Sequence, residues 1–453
     1  MRDKGVLTQD NTSERPGGAC RTNASEARGL GRPPRDRIAT NVALTRGILL
    51  LDMSYTLKMI RDRQLEQVLV SRKLNGYFEK VISVHPLGGL LEAENGQFGK
   101  PVVTQLDDGH VFIEGKIGVT PLGKWLAPLN FLWAQIQLLI LLMRWAKQWK
   151  ISVVRVGDPY YLGILGYVLS RTLGIPLGIR VAFNYDLQFR ESGRAVFPRL
   201  FRFRLLEKIT ERFVFSRCDL VAGANQNNLD YALSNGANPK IKTVFRYGNL
   251  IHPHHFLEPS IRAHKRPQEQ AEGMGDTFLL TISRLETVKK PEHALEVLGY
   301  LRKRRWEIDL VIVGDGSLRH SLQKMAQQMG LEKHVWFAGN RSQEWIAKVL
   351  PQARLILSPH MGRALVEACL AAKPIVAYDY DWQGEIIQSG KTGELVGNGD
   401  WQQMAKRAEN LLKNPEIAEQ LGAAARQLIL ANMSPDRMIR TETEAYEKLF
   451  QTL

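Results

Sequence analysis

The feature that most constrains this chain is an alternation. From about residue 46, short β-branched and apolar runs take turns with amphipathic stretches of helical length. GILLLDM reads as a first strand, RDRQLEQVLVSRKLNG as a helix ending at Gly76, and FEKVISVHP as a second strand. ISVVRVGDP, LGIRVAFN, CDLVAGAN and IKTVFRYGN continue the series, with YYLGILGYVLSRTLGIP as a helix between the first two. Strands joined through helices must cross over rather than fold back as hairpins, so they run parallel and the helices cover the sheet.

The pattern lapses once. Residues 258–275, EPSIRAHKRPQEQAEGMG, lose all apolar periodicity and read as a linker. It then restarts with TFLLTIS, a helix from about Pro291, IDLVIVG, SLRHSLQKMAQQMG, HVWFAG, a helix through Trp345, ARLILSP and KPIVAYD. The expected fold is α/β, with two Rossmann-like, doubly wound parallel-sheet domains at 41–257 and 276–432 facing each other across a cleft. A chain of 453 residues at 44% hydrophobic content can fill two such cores. Residues 433–453, beyond a break at Ser434–Pro435, read as a C-terminal helix that crosses back to the first domain. Doubly wound sheets bind ligands beyond the carboxyl ends of their strands, which makes the cleft the expected site.

Residues 1–40 lack an apolar core of signal-peptide length and read as a disordered basic tail. The most apolar stretch, Trp125 to Trp145, is interrupted by Pro128, Asn130, Gln135 and Gln137, and reads as a buried helix rather than a membrane span. Cys20, Cys218 and Cys369 form neither a disulfide framework nor a metal pattern, which fits a reducing cytoplasm. A net charge of +15 favours acidic lipid, nucleic acid or a phosphorylated substrate as partner. Between Arg190 and Arg217, arginines interleave with Phe197, Phe201, Phe203, Phe213 and Phe215, a composition suited to an anionic membrane surface. The plainer alternative is a core helix with Phe inside and Arg outside. Nucleic acid, resting on charge and this segment alone, is not the expected partner.

Several residues sit where chemistry is expected. Arg284 and Lys289 follow the first strand of the second domain, where cations can meet a diphosphate. Gly314 and Gly316 in VIVGDGS form a tight turn that lacks a third dinucleotide-binding glycine. His360, Met361 and Gly362 form a loop, and the amides of Arg363 and Ala364 open a helix able to take an anion. Glu367 lies in LVEACL, apolar on every face, so its carboxylate requires a partner, either a structural cation or the hydroxyls of a ligand. Asp158, Tyr160 and Asn184, near strand ends of the first domain, are the acceptor-side candidates. Asp379 and Asp381 look like a paired-aspartate metal motif, but no further ligand accompanies them, and no metal is expected.

ISRLETVKKPEHAL, VIVGDGSLRHSLQKMAQQMGLEKHVWFAGN, ARLILSPHMGRALVEACLAAKPIVAYD and GEIIQSGKTGELV, in this order and spacing, resemble the C-terminal domain of family 4 glycosyltransferases of the GT-B fold. The resemblance spans residues 277–430. It implies retaining, metal-independent transfer of a hexose from a nucleotide-diphosphate sugar, with no other cofactor, to a glycan or lipid-linked acceptor such as a polysaccharide precursor. It further implies that Arg284 and Lys289 hold the diphosphate and stabilise the leaving group, and that Glu367 holds the ribose. The sequence also departs from the family. Pro359 stands where the first of two glutamates is usual, with His360 after it. Asp52-Met53-Ser54-Tyr55 replaces a glycine-rich loop, and Asn184, which cannot act as a general base, replaces a histidine. Two alternatives stand beside transfer: a sugar-nucleotide epimerase or hydrolase on the same fold, and a non-catalytic nucleotide- or glycan-binding protein.

Overall fold

The computed structural model describes residues 46–91, 99–116, 126–197, 201, 203–263 and 275–452. The tail expected at 1–40 lies outside them. The first sheet is built from β1 (Gly47–Leu51), β2 (Lys80–His85), β3 (Val102–Asp107), β4 (His110–Glu114), β5 (Val153–Val156), β6 (Leu177–Val181), β7 (Leu220–Gly223) and β8 (Ile241–Val244). Its order is β3-β4-β2-β1-β5-β6-β7-β8, and every pairing is parallel except β3 with β4. The second sheet contains β9 (Phe278–Ile282), β10 (Asp309–Val313), β11 (Val335–Gly339), β12 (Leu355–Ser358), β13 (Ile375–Asp379) and β14 (Glu394–Gly397). It is parallel throughout, in the order β11-β10-β9-β12-β13-β14.

The central strands are buried along their whole length, as GILLL and FLLTI already suggest, because helices cover both faces. In each sheet the winding reverses beside the first strand of the domain, between β1 and β5 and again between β9 and β12. Crevices form at such reversals. The loops leaving these strands carry Asp52, Asp158, Arg284 and His360.

Four local readings are corrected. The single helix expected up to Gly76 is broken into Leu57–Asp62, Gln67–Val70 and a 3-10 turn Ser71–Lys73, with Gln64 and Leu74 in left-handed conformations. The β3–β4 hairpin was not foreseen. It turns at Asp107-Asp108-Gly109, where Asp107 Oδ1 accepts from the Gly109 amide at 2.8 Å and a Cβ on Gly109 would lie 2.3 Å from the Glu79 carbonyl. The stretch expected as linker begins instead with a helix, Pro259–Ala263, whose buried Arg262 donates to the carbonyls of Ala347 (3.1 Å) and Leu370 (2.7 Å); residues 264–274 lie outside the described residues.

The fourth correction concerns the apolar stretch. It forms the helix Ala127–Gln148, long and apolar enough by length and composition to cross a membrane. Ala134, Leu138, Leu142 and Ala146, at four-residue spacing, are buried, and the last three pack into the first core. Leu129, Leu132, Trp133, Ile136 and Ile140 face outward and are exposed, so the helix is only half buried.

The C-terminal helix Pro435–Gln451 lies against the first domain. Tyr446 packs edge-on against Phe78, Glu442 pairs with Arg155 at 2.9 Å, and Glu447 pairs with Arg46 at 2.6 Å.

Candidate active site

A cavity of about 890 Å³ opens between the two reversal points, walled by both domains. Arg284, Lys289 and His360 from the second domain line it together. A 3-10 turn, Thr287–Lys289, brings Lys289 Nζ to 3.5 Å from His360 Nδ1. The same Nδ1 is 3.2 Å from the Val288 carbonyl oxygen. A carbonyl only accepts, so that geometry puts the proton on Nδ1, and the contact offers Lys289 no acceptor. His360 Nε2 faces Asp381 at 3.8 Å, and its ring meets Tyr380 edge-on. Burial pushes the Lys289 ammonium down to about 8; the nearby Arg284 charge adds to this, and Asp381 opposes it.

Gly314 and Gly316 stand behind the Arg284 loop. A Cβ on Gly314 would fall 1.9 Å from the Ser283 carbonyl, and one on Gly316 would fall 2.5 Å from that of Leu285. Their smallness lets the end of β10 close against the loop that carries the arginine.

Glu367 is buried in the helix Ala364–Cys369, with Leu365, Val366, Ala368 and Cys369 buried around it. Arg363 Nε lies 3.7 Å from Glu367 Oε1. Burial raises the Glu367 carboxyl above its ordinary range, and the charges of Arg363 and His252 oppose this. Gly362 is left-handed, and a Cβ on it would stand 3.7 Å from Lys289 Nζ. The cavity wall does not include Glu367, Gly362, Arg363, Ala364, Gly314 or Gly316.

On the first domain, Asp158 and Asn184 line the cavity. Asp158 Oδ1 accepts from the Tyr160 amide at 2.8 Å, and burial, aided by the Asp52 charge, pushes its carboxyl up to about 7. Asn184 caps the helix Tyr185–Ser192 by accepting from the Leu187 amide, and donates to Asn227 Oδ1 at 3.1 Å. Tyr160 is not a wall residue. It is wholly buried, and its hydroxyl joins Glu211 and Arg204 inside the domain, so it belongs to the core.

Three arginines of the wall escaped the sequence reading: Arg72, Arg155 and Arg180. Each is a lone arginine in an otherwise ordinary turn or strand.

The domains are also joined beside the cavity. Glu385 accepts from the Asn227 amide and pairs with Arg246 at 2.8 Å, Asp381 accepts from Asn227 Nδ2 at 2.6 Å, and Trp382 packs on Tyr247. Among the described residues no group of three or more His, Cys, Asp or Glu side chains is placed to hold a metal ion.

Two parallel-sheet domains meeting at a cation-bearing cleft have the GT-B architecture. Residues 263–428, in the second domain, match the family described as glycosyl transferases group 1. An alpha-D-kanosaminyltransferase of Streptomyces kanamyceticus is 26% identical over 273 residues, which are 59% of this chain and 69% of that protein. A GDP-mannose-dependent alpha-(1-6)-phosphatidylinositol monomannoside mannosyltransferase of Mycolicibacterium smegmatis is 28% identical over 187 residues, 39% of this chain and 48% of that one. The crystal structure of Anabaena Alr3699/HepE in complex with UDP and glucose superposes with a TM-score of 0.65 at 16% identity, covering 89% of this chain and 99% of that one. That likeness is one of fold.

Proposed function

We propose that the protein is a retaining hexosyltransferase that moves a sugar from a nucleotide-diphosphate donor to a lipid-linked acceptor at the membrane face, in the cytoplasm. The observation that carries this is the cluster of Arg284, Lys289 and His360 at the reversal point of the second sheet, inside the family-matched domain. Arg284 and Lys289 hold the diphosphate and take up the negative charge that grows on it as the glycosidic bond breaks. Glu367, behind the His360 loop, holds the ribose. Asn184 has no basic nitrogen, so the proton of the attacking hydroxyl passes to the departing diphosphate on the same face of the sugar. These steps involve only the chain and its two substrates.

Calorimetry with UDP, GDP and ADP tests the donor site, and absence of binding by all three would sink it. Glu367→Gln keeps the shape of a carboxyl that burial already disfavours as an anion. It should weaken nucleotide binding by about threefold to tenfold, the loss of one neutral hydrogen bond to the ribose, with little change in thermal unfolding.

Nucleotide affinity should also fall as pH rises through the Lys289 value of about 8, because only the ammonium attracts a diphosphate. Between about pH 7 and pH 9 the charged fraction drops from roughly nine-tenths to one-tenth, so the dissociation constant should rise by up to about tenfold. Lys289→Arg, which stays charged, should remove that dependence; a flat wild-type profile would detach Lys289 from the donor.

The membrane assignment is supported by three neighbouring helices of the first domain. The first two turns of Arg204–Phe215 are turned inside out: Glu207 and Glu211 are 0% exposed, whereas Leu205 and Ile209 are 70% and 58% exposed; Val214 and Phe215 at its end are buried in the core. The buried glutamates are satisfied by Arg204, Tyr160, Lys208 and Tyr231, so the inversion is built into the fold. The alternative of a core helix with Phe inside and Arg outside holds in part: Phe215 is buried and Phe197 and Phe201 pack against the first core, with Arg212 and Arg217 exposed, whereas Phe203 and Phe213 are exposed and Arg204 turns inward to the acids. Ala127–Gln148 and Tyr161–Leu173 extend the apolar surface through Leu129, Leu132, Ile164 and Val168. Phe131 meets Tyr161, and Tyr167 meets Phe213, so the three helices form one face. Arg144, Arg171, Arg212 and Arg217 are exposed on or beside it, and neither of these two helices contains an acidic residue. An apolar face with a basic border fits a bilayer of anionic lipid. The Ala127–Gln148 helix lies on that bilayer rather than across it, because its other side is committed to the core.

A further inference from the structure

The first-domain end of the cavity holds more positive charge than its own residues neutralise. Arg72, from the 3-10 turn before β2, Arg155 on β5 and Arg180 on β6 all line it. Arg155 lies opposite Gly178 in the register, and Arg180 follows two residues later, so the two side chains leave the same face of the sheet. The carboxylates paired with them are Asp52, 3.2 Å from Arg72, and Glu442, 2.9 Å from Arg155. Arg180 donates to a neutral acceptor, the Phe245 carbonyl, at 3.0 Å. Three guanidiniums thus meet two paired carboxylates.

The donors are also incompletely used. Arg72 is 7% exposed, yet its Nη1 is buried without a hydrogen-bond partner, and so is Arg180 Nε. Burial lowers the pKa of both groups; Asp52 and Glu442 offset part of that, and the charge of Arg155 lowers both further. Asp158 also faces this end, but burial and Asp52 favour its protonated form. Keeping such a cluster costs stability unless a ligand supplies the missing negative charge. Arg284 and Lys289 stand in the other domain's part of the wall, so the donor diphosphate does not account for these arginines.

The geometry points to an anion subsite at the acceptor end of the cavity, formed by Arg72, Arg155 and Arg180, that binds a phosphoryl group carried by the acceptor. This deepens the transferase reading and rests on it for the word acceptor. The site itself is a property of the first domain.

The test separates the two. Inorganic phosphate and glycerol 3-phosphate are titrated calorimetrically into the full chain carrying Arg284→Ala and Lys289→Ala, which removes the donor-side cations. Phosphate binding should persist within about twofold of the wild-type chain saturated with nucleoside diphosphate. Adding Arg180→Gln should weaken it by about tenfold or more, the loss of a charge-assisted contact, whereas Arg180→Lys should weaken it less. Thermal unfolding identifies any variant that fails to fold, and Arg155→Gln then serves in place of Arg180→Gln. Vesicles of phosphatidic acid against phosphatidylcholine form the second arm. Arg180-dependent binding to the former assigns the phosphoryl group to a lipid headgroup, and Arg180-dependent binding of glycerol 3-phosphate alone assigns it to a soluble acceptor. Loss of all phosphate binding with Arg284→Ala and Lys289→Ala would overturn the subsite, as would indifference of a folded Arg180→Gln chain. Failure of nucleotides to bind the wild-type chain would instead remove the donor reading and leave the subsite standing.

Discussion

Lys289→Ala should lower kcat by roughly a hundred- to a thousandfold, the range typical of removing one group that stabilises developing charge. The expectation rests on where the ammonium sits. Lys289 is drawn into the wall of the cavity, and burial brings its pKa down to about 8, which marks a charge held with little help from water. A charge in such surroundings acts on a neighbouring phosphate much more strongly than one in solvent. Arg284 is an exposed wall residue, so Arg284→Ala should cost less than Lys289→Ala although both are single cations. The two variants should unfold within a few degrees of the wild-type chain, since neither residue forms part of a core. Steady-state kinetics with a nucleotide-sugar identified by screening donors against membrane lipid extracts would measure the ratio. Equal, small losses in both variants would mean that leaving-group stabilisation comes from elsewhere in the cavity.

Sequence alone carried the second domain and its cations, because both depend on local signals. A run such as FLLTIS followed by charged residues reports a buried strand and the loop at its end, and Arg284 and Lys289 lie in that loop. Glu367 was legible as a buried acid because apolar neighbours enclose it on every side. Arg155 and Arg180 were not legible. Within VVRV and LGIRV they look like the polar positions of ordinary strands, and only the sheet order places them together with Arg72 above one cavity. Tyr160 failed in the opposite direction. It follows a turn where ligand contacts are common, but its hydroxyl is used by Glu211 in the domain interior.

The inverted helix shows why periodicity was insufficient there. RLLEKITERFVF has two well-separated stripes, one of leucine and isoleucine and one of glutamate, and periodicity does not say which stripe is inside. The ordinary assumption buries the apolar stripe. Here Arg204 pairs with both Glu207 and Glu211, and Tyr160 and Tyr231 donate to Glu211, so the acidic stripe is the satisfied one. Arg204 lies on the helix itself, but Tyr160 and Tyr231 are distant in sequence, and only tertiary structure brings them to it.

Leu205→Glu combined with Ile209→Glu should reduce partition onto anionic vesicles by about a hundredfold. Burying one leucine or isoleucine side chain contributes about 1.5–3 kcal/mol, so losing two removes at least that factor before the repulsion of the new carboxylates is counted. The same substitutions should leave folding nearly unchanged, because both side chains already face solvent in the free protein. Each exposed arginine near the headgroups adds about 1 kcal/mol on anionic lipid, so wild-type binding should fall steeply on phosphatidylcholine vesicles and with added salt. Flotation with the two vesicle types separates the apolar and electrostatic contributions. Soluble-acceptor turnover in the double variant should match wild type, since Leu205 and Ile209 lie outside the cavity wall. Transfer to acceptors embedded in vesicles should drop with the loss of binding. If vesicle binding were untouched while the chain ceased to self-associate, the face would belong to a second copy of the protein, and delivery of a lipid-linked acceptor would need another route into the cleft.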